Sequence, residues 1–175
     1  GNLTANEVWG NKTSVLVGDF LFSRAFQLMS KEGTPDILKL LSDTSVVISE
    51  SEVLELSNDK DLTINEDIYL EIIYGKTSSL FNAACQVGAM CAETSQEKIE
   101  ALKSFGINFG MAYQLIDDAI DYSSTTNQLG KNIGDDFKEG KITLPVILAY
   151  LRSNPKEKEF WNKTIQDLHQ DKNDF

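Results

Sequence analysis

Asp117, Asp118 and Asp121 stand within the segment Phe109-Gly110-Met111-Ala112-Tyr113-Gln114-Leu115-Ile116-Asp117-Asp118-Ala119-Ile120-Asp121-Tyr122. Asp117 and Asp121 are four residues apart, so a helix puts both carboxylates within reach of one ion. Oxygen donors with no neighbouring His or Cys select a hard cation, Mg²⁺ or Ca²⁺, over zinc. The acids follow a helical pattern and not an EF-hand loop. By itself, Asp-Asp-x-x-Asp also describes a solvated helix face. The residues beneath it favour chemistry. At about 100° per residue, Gln114, Asp117, Asp118 and Asp121 form one stripe, and Ile107, Gly110 and Met111 lie on the same side. A face apolar at one end and acidic at the other suits a cavity with a metal-binding mouth and an oily interior. Phe105, Phe109, Ala112, Ile116 and Ile120 form the opposite stripe, the expected packing face.

Two other apolar stripes are interrupted by charge. Lys76 falls near the middle of Tyr69, Ile72, Ile73, Leu80, Ala83 and Val87, with Thr77 at its edge. A lysine there either snorkels outward or meets a buried anion. Asp19 shares a stripe with Val15, Phe22 and Phe26, and Lys12 is on the same side. It is expected to be a structural, buried ion-pair partner. A third polar stretch, Leu129 to Lys141, interleaves glycines with lysines and acids. It can fold over a phosphate–metal cluster or form a flexible surface loop. It lacks P-loop spacing.

The elements that must position these residues are helices. Strand-type alternation is scarce, and only three prolines occur. The pattern predicts helices over about 6–31, 35–57, 65–92 and 95–123. Gly33-Thr34-Pro35 ends the first, Pro35 opens the second, and Thr94 or Ser95 caps the fourth. A polar loop is expected from Ser124 to Lys141, then a short helix from Leu144 to about Arg152 and a charged helix from Pro155. The fold class is all-α, a bundle of long helices forming one domain over residues 1–175.

With 175 residues, 41% hydrophobic and 25% charged, the chain is long enough to bury a core. A net charge of −11 argues against nucleic-acid binding and against a polybasic membrane surface. An anionic substrate then needs local lysines or divalent metal. No run approaches the ~18–20 apolar residues of a membrane span, so no integral membrane segment and no secretory leader are expected. Cys85 and Cys91 are expected to be plain buried thiols in a reducing, cytoplasmic setting.

The segment from Phe109 to Tyr122 resembles the second aspartate-rich motif of the trans-polyprenyl diphosphate synthases. Gly130-Lys131, Gly134-x-Asp136, Gly140-Lys141-x-Thr143-Leu144-Pro145, Lys76-Thr77 and Val15 to Leu21 are similar to that family in the same order. Trp9 to Lys12 and Ala25 to Met29 resemble its bacterial octaprenyl branch. The family's first aspartate-rich motif and paired arginines have no counterpart here, so the chain resembles its C-terminal half. Ser51-Glu52-Val53-Leu54-Glu55 stands where the family has Gly-Glu-x-x-Gln, and no role passes to Glu55.

The resemblance implies an isoprenoid-synthase-like bundle lacking its N-terminal helices. It implies a prenyltransferase that elongates an allylic prenyl diphosphate with isopentenyl diphosphate, for example toward quinone side chains. Mg²⁺ would be the cofactor and a homodimer the assembly. Asp117 would ligate the metal directly, with Asp118 and Asp121 acting through waters and outer hydrogen bonds. Lys76 and Lys131 would hold diphosphate. Thr77 and Gln114 would turn oxygen dipoles toward the allylic cation, and released diphosphate would accept the proton. With one of two aspartate clusters, the 175-residue chain alone is expected to be inactive and to belong to a longer protein. The alternative is a non-catalytic regulatory subunit of a heteromeric synthase. Product length is not legible.

Overall fold

The computed structural model describes residues 3–123, 134–171 and 174. Every regular element among them is helical. The chain divides into two compact units, Gly1–Asp43 and Thr44–Phe175, and the boundary falls within one helix.

In the first unit, α1 (Ala5–Trp9) starts at a capping box in which the Thr4 hydroxyl accepts from the Glu7 amide and the Glu7 carboxylate accepts from the Thr4 amide. The single helix expected over 6–31 is two. The chain breaks at Gly10, whose φ of +80° suits glycine and which no helical residue can share. α2 (Asn11–Glu32) resumes beyond it. Asp19 and Lys12 are exposed, so the expected buried ion pair is absent. Val15 and Phe22 on the same stripe are also exposed. Among the described residues of this unit, no second layer of helices covers α2, and nothing desolvates the carboxylate. α3 (Pro35–Ser57) has the predicted bounds.

In the second unit, Asn65 caps α4 (Glu66–Ile73), its side-chain oxygen accepting from the Ile68 amide at 2.9 Å. The expected helix over 65–92 is interrupted by a π-helical turn, Tyr74–Ser78, before α5 (Ser79–Cys91). The wide turn absorbs extra residues and rotates α5 relative to α4. Ser78, Ser79 and Ala83 therefore face inward, while Leu80 points out.

α6 (Gln96–Ser123) matches the predicted element, but its packing face differs. Phe105 and Ile116, expected to be buried, are 57% and 58% exposed. The buried side carries Gly106, Gly110 and Asp118. A Cβ on Gly106 would lie 2.7 Å from the Asn82 Cα, and one on Gly110 would lie 2.5 Å from the Ser78 Cα. Two glycines four residues apart let the α6 backbone approach α5 and the π turn. The large side chains cannot enter that contact and are turned outward.

The expected loop over 124–141 contains a short helix, α7 (Asp135–Glu139), and Phe137 within it is 3% exposed. α8 (Leu144–Arg152) and α9 (Pro155–Trp161) follow, then a second π turn, Asn162–Gln166. The core lies in two clusters. Leu62, Phe137, Val146 and Ile165 form one, with Phe160 and Trp161 against it. Ile64, Tyr69, Ile73 and Ile147 form the other, with Met111 and Leu115 against it. Cys91 is exposed and Cys85 half-buried, so neither is the fully buried thiol expected. No helix among the described residues is long and apolar enough to cross a membrane.

Candidate functional site

The C-terminal third of α6 faces a cavity of about 560 Å³ between α3, α4, the first π turn and the segment after α7. Lys76, Gln114, Asp117 and Asp118 line it, together with Glu55 and Tyr69. The π turn delivers Lys76, and the α6 glycines set the depth at which Gln114 and Asp118 meet it.

A hydrogen-bonded chain crosses the site. Thr77 Oγ1 donates to Gln114 Oε1 at 2.9 Å, and Gln114 Nε2 donates to Asp118 Oδ1 at 2.7 Å. Tyr69 Oη donates to the other oxygen, Asp118 Oδ2, at 2.6 Å. Both carboxylate oxygens of Asp118 are thus occupied, and the residue is 4% exposed. Burial holds its pKa above the ordinary carboxylate range, against the lowering effect of its hydrogen bonds from Tyr69 and Gln114. Burial also raises the Tyr69 phenol, with the Asp118 hydrogen bond and charge acting the same way. The chain fixes the Gln114 amide with its oxygen toward Thr77, an orientation that sequence spacing does not specify.

Asp121 does not line the cavity. Its Oδ2 accepts from the Asp136 amide at 3.0 Å, and its carbonyl accepts from the Gly134 amide at 3.1 Å. It therefore ties α7 to the end of α6. That anchor brings Asp136 into the lining, where burial raises its pKa. Lys141 sits beside it, 3.5 Å from Asp136 Oδ1 and 2.7 Å from Glu139 Oε2. Burial tends to lower the Lys141 pKa, but these carboxylates leave it raised. Thr77 is half-buried and reaches the cavity through Gln114. Lys131 lies outside the described residues.

Lys76 does not sit in a buried stripe. Its ammonium donates to Glu55 Oε2 at 2.5 Å across the cavity wall. Four contributors were given no role of their own in the sequence reading. Tyr69 looked like one apolar-stripe residue among several, although a buried phenol needs a polar partner and that need was a signal. Asp136 and Lys141 belonged to a polar stretch read as able to fold over a phosphate–metal cluster or to form a surface loop, and Glu55 was noticed as a departure without a function.

Removing the phenol tests the chain. Tyr69→Phe strips a donor from a buried carboxylate, and is expected to cost about 1–3 kcal/mol of unfolding free energy. In an Asp118→Asn background the same change is expected to cost less, because no charge is left unsatisfied. Chemical denaturation of wild type, the two single variants and the double variant checks this, and equal costs in both backgrounds would contradict it.

Among the described residues, no three His, Cys, Asp or Glu side chains gather closely enough to cage an ion. The lining is nevertheless all-oxygen in its ligating groups, with Asp117 half-buried at the mouth. That donor set fits Mg²⁺, which is commonly bound through one or two carboxylates with the remaining positions taken by water and phosphate oxygens. On another side of α6, Phe109, Ala112, Tyr113, Ile116 and Ile120 line an apolar groove of about 250 Å³, which Asp117 also borders. Phe81 packs on Phe109 and Tyr113 with ring centroids 5.1 and 5.6 Å apart.

Comparison with known proteins agrees with this architecture. The octaprenyl diphosphate synthase of Escherichia coli K12 is 43% identical over 166 residues, covering 95% of this chain and 51% of the relative. The geranyl-diphosphate-specific all-trans-nonaprenyl-diphosphate synthase of Rhodobacter capsulatus is 44% identical over 165 residues, covering 94% of this chain and 50% of the relative. The chain therefore spans about half the length of the curated relatives it matches. Among solved structures, the polyprenyl synthase of Caulobacter crescentus CB15, complexed with calcium and isoprenyl diphosphate, superposes with a TM-score of 0.93. It shares 49% identity over 99% of this chain and 53% of that one. The profile described as polyprenyl synthetase matches residues 1–175, and the chain belongs to the polyprenyl synthetase family.

Proposed function

We propose that the protein carrying this chain elongates an allylic prenyl diphosphate with isopentenyl diphosphate to a polyprenyl diphosphate, with octaprenyl as the product length. The observation that carries this reading is one cavity holding a lysine, a fixed amide and aspartates, with an apolar groove along the same helix. Family membership and the diphosphate bound by the Caulobacter crescentus relative support it.

In this reading the allylic C–O bond breaks and diphosphate leaves with the electron pair. The isopentenyl double bond attacks the resulting cation, forming a C–C bond, and a proton is lost to the departed diphosphate. Asp117 would hold a divalent cation, Mg²⁺, with outer support from Asp118 and, through its bond to the Asp136 amide, from Asp121; when bound, the cation would neutralise charge on the leaving group. Lys76 and Lys131 bind the diphosphate oxygens. Gln114 and Thr77 present oxygen dipoles to the cationic carbon, and the chain through Asp118 and Tyr69 prevents the amide from turning. Phe109, Tyr113 and Ile116 give the growing hydrocarbon an apolar bed along α6. A homodimer in the cytoplasm completes the proposal, and the exposed apolar side chains of α2, such as Phe20 and Leu21, are compatible with a dimer.

A product assay tests it. The protein at its full natural length, given Mg²⁺, farnesyl diphosphate and isopentenyl diphosphate, is expected to yield a ladder of five-carbon additions by mass spectrometry. Absence of any prenyl product would overturn the assignment.

A further inference from the structure

The cavity is crowded with negative charge. Glu52, Glu55, Asp59, Asp117, Asp118 and Asp136 line it, against Lys76 and Lys141. Each of these two lysines already has a carboxylate partner, Glu55 for Lys76 and Glu139 with Asp136 for Lys141. The Lys76 pair is built into the packing. Gly75 has no Cβ, and one placed there would lie 2.5 Å from the Ser51 Cβ. α3 and the π turn therefore touch at Ser51 and Gly75. One helical turn beyond Ser51 on α3 is Glu55, and next to Gly75 is Lys76. The close approach delivers the two charges to each other at 2.5 Å. Both side chains remain partly open, at 39% for Glu55 and 42% for Lys76, so an incoming anion can reach the ammonium.

We propose that Glu55 is a built-in counter-anion for Lys76, competing with the diphosphate for the same ammonium and making capture of that ligand depend on added divalent cation. This rests on the reading of Lys76 as a diphosphate-binding residue. With the pair closed, a bare diphosphate meets a cavity of net negative charge, and it must also displace Glu55. A diphosphate that arrives with metal carries its own neutralisation and leaves less repulsion with Glu55. Glu55 is thus a specificity-determining residue, biasing the site against free diphosphate.

Calorimetric titration of inorganic pyrophosphate into the full-length protein tests this, in EDTA and in Mg²⁺. In EDTA, Glu55→Gln is expected to bind pyrophosphate about five- to tenfold more tightly than wild type, the order of one charge removed beside the ligand at a partly wet site. Glu55→Ala should give a similar gain, which guards against an effect peculiar to the amide. The gain should vanish in a Lys76→Gln background, and in Mg²⁺ the Glu55 variants should differ less from wild type. Helical circular dichroism confirms that each variant is folded. An unchanged affinity in EDTA for both Glu55 variants, or an equal gain without Lys76, would overturn the counter-anion role while leaving the functional reading intact. If wild type binds no pyrophosphate even with Mg²⁺, the functional reading fails and this inference falls with it.

Discussion

Asp117→Ala is expected to weaken Mg²⁺-dependent pyrophosphate binding by at least about 100-fold, the upper end of what loss of an outer-sphere partner costs a metal site. Asp118 has both oxygens committed, to Gln114 and to Tyr69, and Asp121 is turned toward the Asp136 backbone. Asp117 is half-buried and borders both the polar cavity and the apolar groove. A metal that joins the diphosphate to the chain is therefore expected to depend most heavily on this carboxylate. The Thr77–Gln114–Asp118–Tyr69 chain does not pass through Asp117, so the variant should leave that chain intact, and helical circular dichroism checks the fold. Titration of pyrophosphate with and without Mg²⁺ reads the effect. Wild-type affinity in Asp117→Ala, with Mg²⁺ present, would remove the residue from the metal site. A parallel loss of fold would mean that it acts through structure.

Gly110→Ala is expected to destabilise the second unit by about 1–3 kcal/mol, although alanine is the better helix former by about 1 kcal/mol. The added methyl would lie 2.5 Å from the Ser78 Cα and 3.0 Å from its Cβ. The Cα belongs to backbone and cannot swing aside, so α6 must move away from the π turn. That movement strains two contacts at once, the 2.8 Å bond from Ser78 Oγ to the Ile107 carbonyl and the 2.9 Å bond from Thr77 to Gln114. Gly110→Val should be worse and is expected to reduce folded yield. Gly88→Ala in α5 is the control, since a Cβ there meets nothing within 4 Å. It should be neutral or stabilising by up to about 1 kcal/mol. Denaturant melts of the three variants decide it. If Gly110→Ala behaves like Gly88→Ala, the close approach does not limit stability.

Helical periodicity was enough to read α3, α6 and α8 with nearly their observed bounds, and the fold class with them, because local hydrogen bonding and capping are encoded over a few residues. The candidates Lys76, Gln114, Asp117 and Asp118 were also legible, as polar groups interrupting apolar patterns. The direction in which α6 faces was not. Phe105, Phe109 and Ile116 carry the large apolar areas, and area alone assigns them to the interior. The interior was instead claimed by Gly106 and Gly110, because close backbone approach to Ser78 and Asn82 depends on what lies across the contact, some 24 to 32 residues away.

The same limit explains the other differences. The π turn at Tyr74–Ser78 rotates α5 relative to α4, which no fixed 100° step anticipates, and it moves Lys76 from an expected buried stripe to the cavity wall. Asp19 was expected to be buried because its neighbours are apolar, yet burial needs a covering element that no local pattern specifies. The partnership of Tyr69 with Asp118 joins residues 49 apart. Residue types and spacing by themselves determined that this chain is helical and which side chains are candidates for holding a hard cation. Tertiary structure alone decided which carboxylate borders both the cavity and the apolar groove, which is locked by hydrogen bonds, and which anion already holds the lysine. Those outcomes depend on distances between elements, and distances are set by packing and not by periodicity.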